Sequence, residues 1–484
     1  MVMNLRHKLY DERGLATYDE AVINRMECPT LDSFEELCKS LAERVDKSET
    51  RERGRTAEAK QNLLTSVYHL VSQLWKGTQI HQGYEAGINK RSGWYSAIER
   101  YRQPGLTYRQ TIAAYKGLKQ LGLISETRNG FLDRDTFEAD ITKFVANDEL
   151  LEMLTDLTEN PLKTLTPNLN AECLILRNTV EGRREQIDYL DTPSVIEMRG
   201  NLRFINKCLS RHWADIRIKD EDFISLQERL LIDDEKQPID FSRWALVRIF
   251  SNGSFEQGGR FYRGWWQQVP SELRLYITID GKKTCEYDYS QLNPHMVYFL
   301  RGKELGDEDA YGRVFDGKHR PLVKEAFNAM IQASTQLTLK PRGIDLSDVD
   351  MDWPTLRDAI LKAHRAIEDM FFQGHGNHLQ YIDSCIAEQV MLHFSRMDYP
   401  VLPVHDSFIM HHAFGDLGEL EEVMRRAFYH HFMKDIKVKG EIGELMAGLF
   451  DGRDSDELTF NELIDGEPEY SLWTARQTGS LNRC

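Results

Sequence analysis

Cysteine is scarce in this 484-residue chain: the seven thiols (28, 38, 173, 208, 285, 385 and 484) are scattered and nowhere spaced as CxxC. That excludes a zinc ribbon or a disulfide framework and leaves reduced thiols as the expectation. Fourteen prolines are too few for a fibrous or disordered chain. Apolar runs such as VLPV at 401–404 stop far short of the ~20 residues of a membrane span, and the opening MVMNLRHKLYDERG is charged where a secretory leader is apolar. A cytoplasmic protein with no membrane partner is expected. Net positive charge is also missing: 61 Lys and Arg stand against 77 Asp and Glu, a balance of −16. No whole-molecule field draws nucleic acid, so any such site must be a local basic patch. There is no internal repeat and no low-complexity run.

What is present is the composition of a globular chain, 41% hydrophobic and 29% charged, long enough for about three domains at ~150 residues each. Residues 1–56 read as a charged helical or linker region. From 57 the pattern AEAKQNLLTSVYHLVSQLW recurs at three and four residues through Leu63, Val67, Leu70 and Leu74, as a helix with one buried stripe requires. A short helix fits SGWYSAIERY. In LTYRQTIAAYKGLKQLG, Thr107 can cap a helix whose Tyr108, Ile112, Tyr115 and Leu118 face inward, with Arg109, Lys116 and Gln120 on another stripe. LISET and FLDRD then read as two strands joined over Arg128, Asn129 and Gly130, a strong hairpin signal.

Helices followed by a two-stranded wing predict a winged-helix module over 57–140. Between 90 and 119 seven basic residues face one acidic residue, so Arg109, Lys116, Lys119 and Arg128 are the candidates for contacting a DNA or RNA duplex. Protein–protein contact is the other use of such a module. Residues 141–245 read as a largely helical connector, thumb-like in position, and 451–484 as an acidic tail or peripheral cover.

The chemistry lies in 246–450. LYITI, Asp280-Gly281 and KKTCEYDYSQLN predict a hairpin whose second strand ends at Asp288. YPVLPVHDSFIMHH predicts two short strands with His405 and Asp406 at their junction. A lone Asp at a hairpin end is ordinarily a turn former. Two carboxylates brought from distant strands to one sheet edge, however, can hold two divalent ions ~3.5 to 4 Å apart, and hard oxygen donors favour magnesium, with manganese as the alternative. Between them, RPLVKEAFNAMIQAS predicts a helix with Val323, Phe327, Met330 and Ile331 buried. Arg320, Lys324, Asn328 and Gln332 follow on a separate stripe suited to a nucleoside triphosphate or, equally, to solvent.

In order and roughly in spacing, GGRFYRGWWQQVPSELR, DYSQLN, RPLVK and LPVHDSF resemble the palm and fingers of family A DNA polymerases, whose elements run GR, a proline-ending segment, an arginine, DYSQIE, an arginine-lysine helix and VHDE. The matching positions are Gly259, Arg260, Val269, Pro270, Arg274, Asp288, Arg320, Lys324, His405 and Asp406. The helix LQYIDSCIAEQVMLHFSRM, with Leu379, Ile382, Ile386, Val390 and Phe394 inward, resembles the one preceding VHD in that family.

The resemblance implies an α+β fold with a right-hand palm and helical fingers behind the winged helix. It implies a nucleotidyltransferase that extends a 3′-hydroxyl using nucleoside triphosphates. Asp288 and Asp406 would be catalytic metal ligands with the Tyr289 carbonyl. Arg320, Lys324, Asn328, Gln291 and Asn293 would contact the nucleotide, and Arg260, Arg274 and His405 the primer or template.

The departures are Asn293 where the family has the glutamate that crowds the sugar 2′-hydroxyl, Ser407 for the glutamate of VHDE, and Asn328 and Gln332 where aromatic and tyrosine side chains follow the lysine. A proofreading acidic triad is missing, and a winged helix in its place suggests a phage, plasmid or mobile-element protein. The alternatives are a winged-helix replication initiator or regulator with an inactive polymerase-like half, and a primase, RNA polymerase or template-independent transferase. The histidine pairs 375/378, 411/412 and 430/431 lack acidic or Cys partners at ligand spacing and read as surface residues. Trp265 and Trp266 suit base stacking or the core, and Gly258-Gly259 has no phosphate-loop context.

Overall fold

A computed structural model describes residues 32–80, 84–96, 98–132, 139–157, 161–165, 167–180, 183–232, 237–306, 308–347, 349–442, 470, 472–474 and 476. The first part of the 1–56 region, part of FLDRD and most of the 451–484 tail lie outside the described residues. The fold is mixed α and β, and no helix among the described residues is long and apolar enough to cross a membrane.

The amino-terminal part runs α1 (Asp32–Ser48), α2 (Ala57–Ile80), β1 (Ala86–Ile88), α3 (Ser92–Tyr95), α4 (Tyr108–Gln120), β2 (Ile124–Arg128), β3 (Phe131–Leu132), β4 (Ala139–Asp140), β5 (Thr142–Ala146), α5 (Asp148–Thr155) and α6 (Pro161–Thr164). The stripe Leu63, Val67, Leu70 and Leu74 of α2 is buried with Phe34, Leu41 and Val45 of α1 and with Ala114 and Leu118 of α4. Gly117 permits the close crossing, since a Cβ there would lie 2.4 Å from Val45.

Three sequence expectations are corrected here. Tyr108 is 39% exposed, against the Tyr95 ring in the first turn of α4, before the helix meets its neighbours. Thr107 holds the N-cap position without a side-chain hydrogen bond. The partner of β2 is not FLDRD but β5, which lies between β1 and β2 in an antiparallel sheet. Of FLDRD, the described Phe131 and Leu132 form β3, paired with β4, while β5 brings the buried Phe144 opposite Glu126 of β2.

The remainder runs β6 (Leu174–Val180), β7 (Arg183–Gln186), α7 (Pro193–Leu209), β8 (Ala214–Ile216), α8 (Asp220–Ile232), β9 (Val247–Phe250), β10 (Gly258–Tyr262), β11 (Ile277–Ile279), β12 (Lys282–Tyr289), α9 (Leu292–Leu300), α10 (Arg320–Gln332), α11 (Trp353–Ala363), α12 (Gly376–Ser395), β13 (Leu402–Val404), β14 (Ser407–His411), α13 (Ala413–Asp416), α14 (Glu419–Phe432) and β15 (Val438–Ile442). The stretch 141–245 is thus not simply helical. It lends β6 and β7 to a four-stranded sheet ordered β10-β9-β6-β7, with β6 parallel to β9, and lends β8 to the edge of a six-stranded sheet. Parallel pairing across so many residues leaves no local signature.

The six-stranded sheet runs β13-β14-β12-β11-β8, and β15 also pairs with β12. β12 is therefore flanked by β14 along 284–288 and by β15 along 285–289. Trp265 and Trp266 are buried, the latter donating from Nε1 to the Pro403 carbonyl at 3.0 Å, so neither is a stacking platform. Of the tail, Arg476 is buried with Nε 2.9 Å from Asp215 Oδ1 and its guanidinium over the rings of Phe223 and Phe241. Burial pushes the Asp215 carboxyl up to about 6, with Arg476 opposing it.

The amino-terminal part is tied to the rest by Arg100, which meets Asp188 at 2.7 Å and Asp191 at 3.0 Å, and by Lys76 with Asp240 at 3.3 Å.

Candidate active site

The turn between β11 and β12 has Asp280 and Gly281 both at positive φ, 51° and 75°, the conformation that suits a tight hairpin. It launches β12 toward Asp288. In the register, Ser407 is the direct partner of Asp288 on one side and Lys439 on the other. Val404 pairs with Ser407, so His405 and Asp406 form a two-residue loop, with His405 in the left-handed region at φ 58°. Directly paired residues lie ~4.5 to 5.5 Å apart at Cα; Asp406, one residue beyond Ser407, is consequently a neighbour of Asp288.

The electrostatics agree. Asp288 is reachable by solvent yet crowded by protein, and burial followed by the charge of Asp406 pushes its carboxyl up to about 8, with Lys324 opposing and Glu286 adding. A pair of hard oxygen donors whose mutual repulsion is poorly compensated is what a divalent cation fits.

Around this pair lie two acids that were not foreseen, Glu286 and Asp383, each paired with an arginine that was, Arg274 and Arg260. Ser407 Oγ donates to Glu286 Oε1 at 2.6 Å, and Glu286 is also held by Arg274 Nη1 at 2.8 Å, while Arg274 Nε reaches the Val269 carbonyl at 3.1 Å. Arg274 thus braces β12 from the side. Arg260 Nε meets Asp383 Oδ2 at 2.6 Å. Asp383 was missed in the sequence, although an acid at the buried position between Leu379 and Ala387 of α12 is the signal that would have found it. Burial pushes Asp383 up to about 6, Arg260 opposing and Asp406 adding. Gly258 and Gly259, both at positive φ, build a bulge that sets the direction of Arg260; a Cβ on Gly259 would lie 2.5 Å from the Phe250 ring.

On α10, Val323, Phe327, Met330 and Ile331 are buried and Arg320, Lys324 and Gln332 are exposed. Arg320 is engaged by Asp309, with Nε to Oδ2 at 2.6 Å and Nη2 to Oδ1 at 3.2 Å, and its guanidinium lies 5.3 Å from the Tyr311 ring centroid. Asn328 accepts from Asn293 Nδ2 at 3.1 Å. Gln332 lies against Gly376, where a Cβ would approach to 2.7 Å. Gln291, left-handed at φ 57°, accepts from the Ala310 N–H at 2.6 Å and so holds the loop that carries Asp309. Tyr289 is buried, its hydroxyl donating to the Met424 carbonyl at 2.7 Å.

The patch on α4 is partly neutralised. Arg109 and Lys116 are exposed and Arg128 half-buried, but Lys119 (3.5 Å) and Lys90 (3.0 Å) converge on Glu126, which hydrogen bonds from Tyr115 and Lys90 hold at about 2.

Among the described residues, the three potential metal donors lying within 4.8 Å of one another are Cys208, His212 and Asp398. Burial would lower His212, but the hydrogen bond to Asp280, 2.6 Å from Nδ1, and contact with Cys208 outweigh it and push the imidazole up to about 10. Arg211 also engages Asp398. The ring thus sits in an ion-pair cluster with Asp280 and Asp398. His411 and His412 stack on each other, and His430 and His431 lie near the Gln389 amide.

No protein-family model matches the chain, and no curated protein is a significant match. Among solved structures, the POL domain of Pol1 from M. smegmatis, in complex with DNA primer-template and dNTP, is similar with a TM-score of 0.30 and 13% identity over 46% of this chain. The match spans about half of that chain, 51%. At this score the likeness carries no weight for function.

Proposed function

We propose that the chain is a metal-dependent nucleotidyltransferase that extends a nucleic-acid 3′-hydroxyl with nucleoside triphosphates, DNA-directed DNA synthesis being the leading form. The observation that carries this reading is the β12–β14 register, which brings the Asp406 turn beside Asp288 at one end of the paired strands, within the electrostatic reach of Lys324 on α10.

The donor set fits divalent ions: Asp288 and Asp406, with the Tyr289 carbonyl, would hold them. When bound, two magnesium ions supply Lewis acidity to the attacking hydroxyl and the departing pyrophosphate. The chain itself would bind and orient. Lys324 and Arg320 neutralise the triphosphate, Asn293 and Asn328 form an uncharged wall beside the sugar, and Arg260 and His405 meet the primer end. The amino-terminal helices with the β2–β5 extension form a winged-helix module whose Arg109, Lys116, Lys119 and Arg128 contact duplex phosphates.

The test is extension of a labelled primer on a template with magnesium and, separately, deoxynucleotides and ribonucleotides. Asp288→Ala and Asp406→Ala should each lower the rate by at least about a hundredfold. Duplex binding without extension under magnesium or manganese refutes the enzyme and leaves a binding protein.

A further inference from the structure

Arg260 offers its N–H donors in a rigid fork, and its Nε edge is taken by Asp383 at 2.6 Å. Asp383 is 2% exposed and lies on the face of α12 that buries Leu379, Ile386 and Val390. An apolar side chain would serve the core there; a carboxylate at that place costs desolvation unless paired, and the pairing falls on Arg260. The glycine bulge of β10 directs Arg260 from the other side, and its charge acts on Asp406 as well as on Asp383. Among the described residues its terminal amino groups have no hydrogen-bond partner.

We infer that Asp383 is a positioning residue: it holds Arg260 by the Nε edge so that the two terminal amino groups meet a phosphodiester of the strand whose 3′ end reaches Asp406. The inference rests on the extension activity proposed above. A phosphate accepts two parallel N–H donors from a guanidinium, and a guanidinium already fixed at Nε loses less freedom on binding than a mobile one.

The test pairs primer-extension kinetics with the fluorescence anisotropy of a labelled primer-template, for wild type, Asp383→Asn, Arg260→Ala and the double variant Arg260→Ala/Asp383→Asn. Asp383→Asn keeps the shape but loses the charge. It should raise both KM and Kd for primer-template about five- to tenfold while kcat at saturating primer changes less than about twofold. In the Arg260→Ala background the same change should add nothing.

A fall in kcat with unchanged KM, or losses that multiply in the double variant, would overturn the inference. Should Asp383→Asn fail to unfold cooperatively, Arg260→Leu/Asp383→Leu, which removes both charges, replaces it and should bind as weakly as Arg260→Ala; wild-type affinity in that variant overturns the proposal. If wild type binds but never extends a primer, the enzymatic reading fails. The anisotropy comparison still decides the role of Asp383, equal affinity of wild type and Asp383→Asn refuting it.

Discussion

Protons and divalent cations should compete for Asp288 in the neutral range, far above the usual carboxylate midpoint. Its carboxyl is pushed up to about 8 by burial and by Asp406. About one molecule in ten at pH 7, and one in a hundred at pH 6, then has Asp288 ionised, so apparent cation affinity should fall roughly tenfold per pH unit below the midpoint. Manganese titration followed by electron paramagnetic resonance, from pH 6 to 9, measures this directly. Asp406→Asn removes the neighbouring charge, so its midpoint should lie lower, while binding at pH 9 weakens because a ligand is lost. A wild-type affinity that stays flat between pH 6 and 8, or an unchanged midpoint in Asp406→Asn, refutes the reasoning.

The same shift has a stability consequence of definite sign. Because the folded-state value is raised above ~4, the contribution of Asp288 is present below that value and is lost as the pH rises to about 8. Without divalent cations at pH 8, Asp288→Asn should therefore be more stable than wild type, by about 1 kcal/mol once solvent screening is allowed for. Added magnesium should close the gap by stabilising the wild type alone.

Asp309→Asn should free Arg320 and lower the nucleotide KM about two- to fivefold, the scale of an exposed ion pair; an unchanged KM would mean that Asp309 does not hold Arg320 back. Asn293→Glu should shift selection between ribonucleotides and deoxynucleotides in competition extension assays, and an unchanged ratio removes the sugar-wall reading. Arg109→Ala and Lys116→Ala should each weaken duplex binding regardless of sequence and reduce the slope of log affinity against log salt by about one. An unchanged slope takes the duplex away from α4.

Much of the site's scaffold was legible because it is local. The three-and-four spacing in α2 and α10 needs nothing but the helix period, and the Asp280-Gly281 pair declares its turn by residue type. What stayed hidden depends on distant partners. The pairing of β2 with β5 is decided by which later strand brings a buried face, and Asn129-Gly130 misled by marking the nearer candidate. β6 lies parallel to β9 with β7, α7, β8 and α8 between them in the chain. Asp383 was passed over because its partner, Arg260, lies on β10, 123 residues away. The cationic excess over 90–119 also shrank, since Glu126, Asp188 and Asp191 came from elsewhere to meet Lys90, Lys119 and Arg100.

The docking of Arg476 on Asp215 imposes an order on biosynthesis. β8 is made early, but the cation that balances its interior acid arrives 261 residues later. At elongation rates of roughly 5 to 20 residues per second, ten seconds or more pass before that cation joins the Trp213 and Ile216 N–H donors that Asp215 already has. A chain halted before residue 476 would hold β8 already paired with β11 but leave its interior acid without that cation.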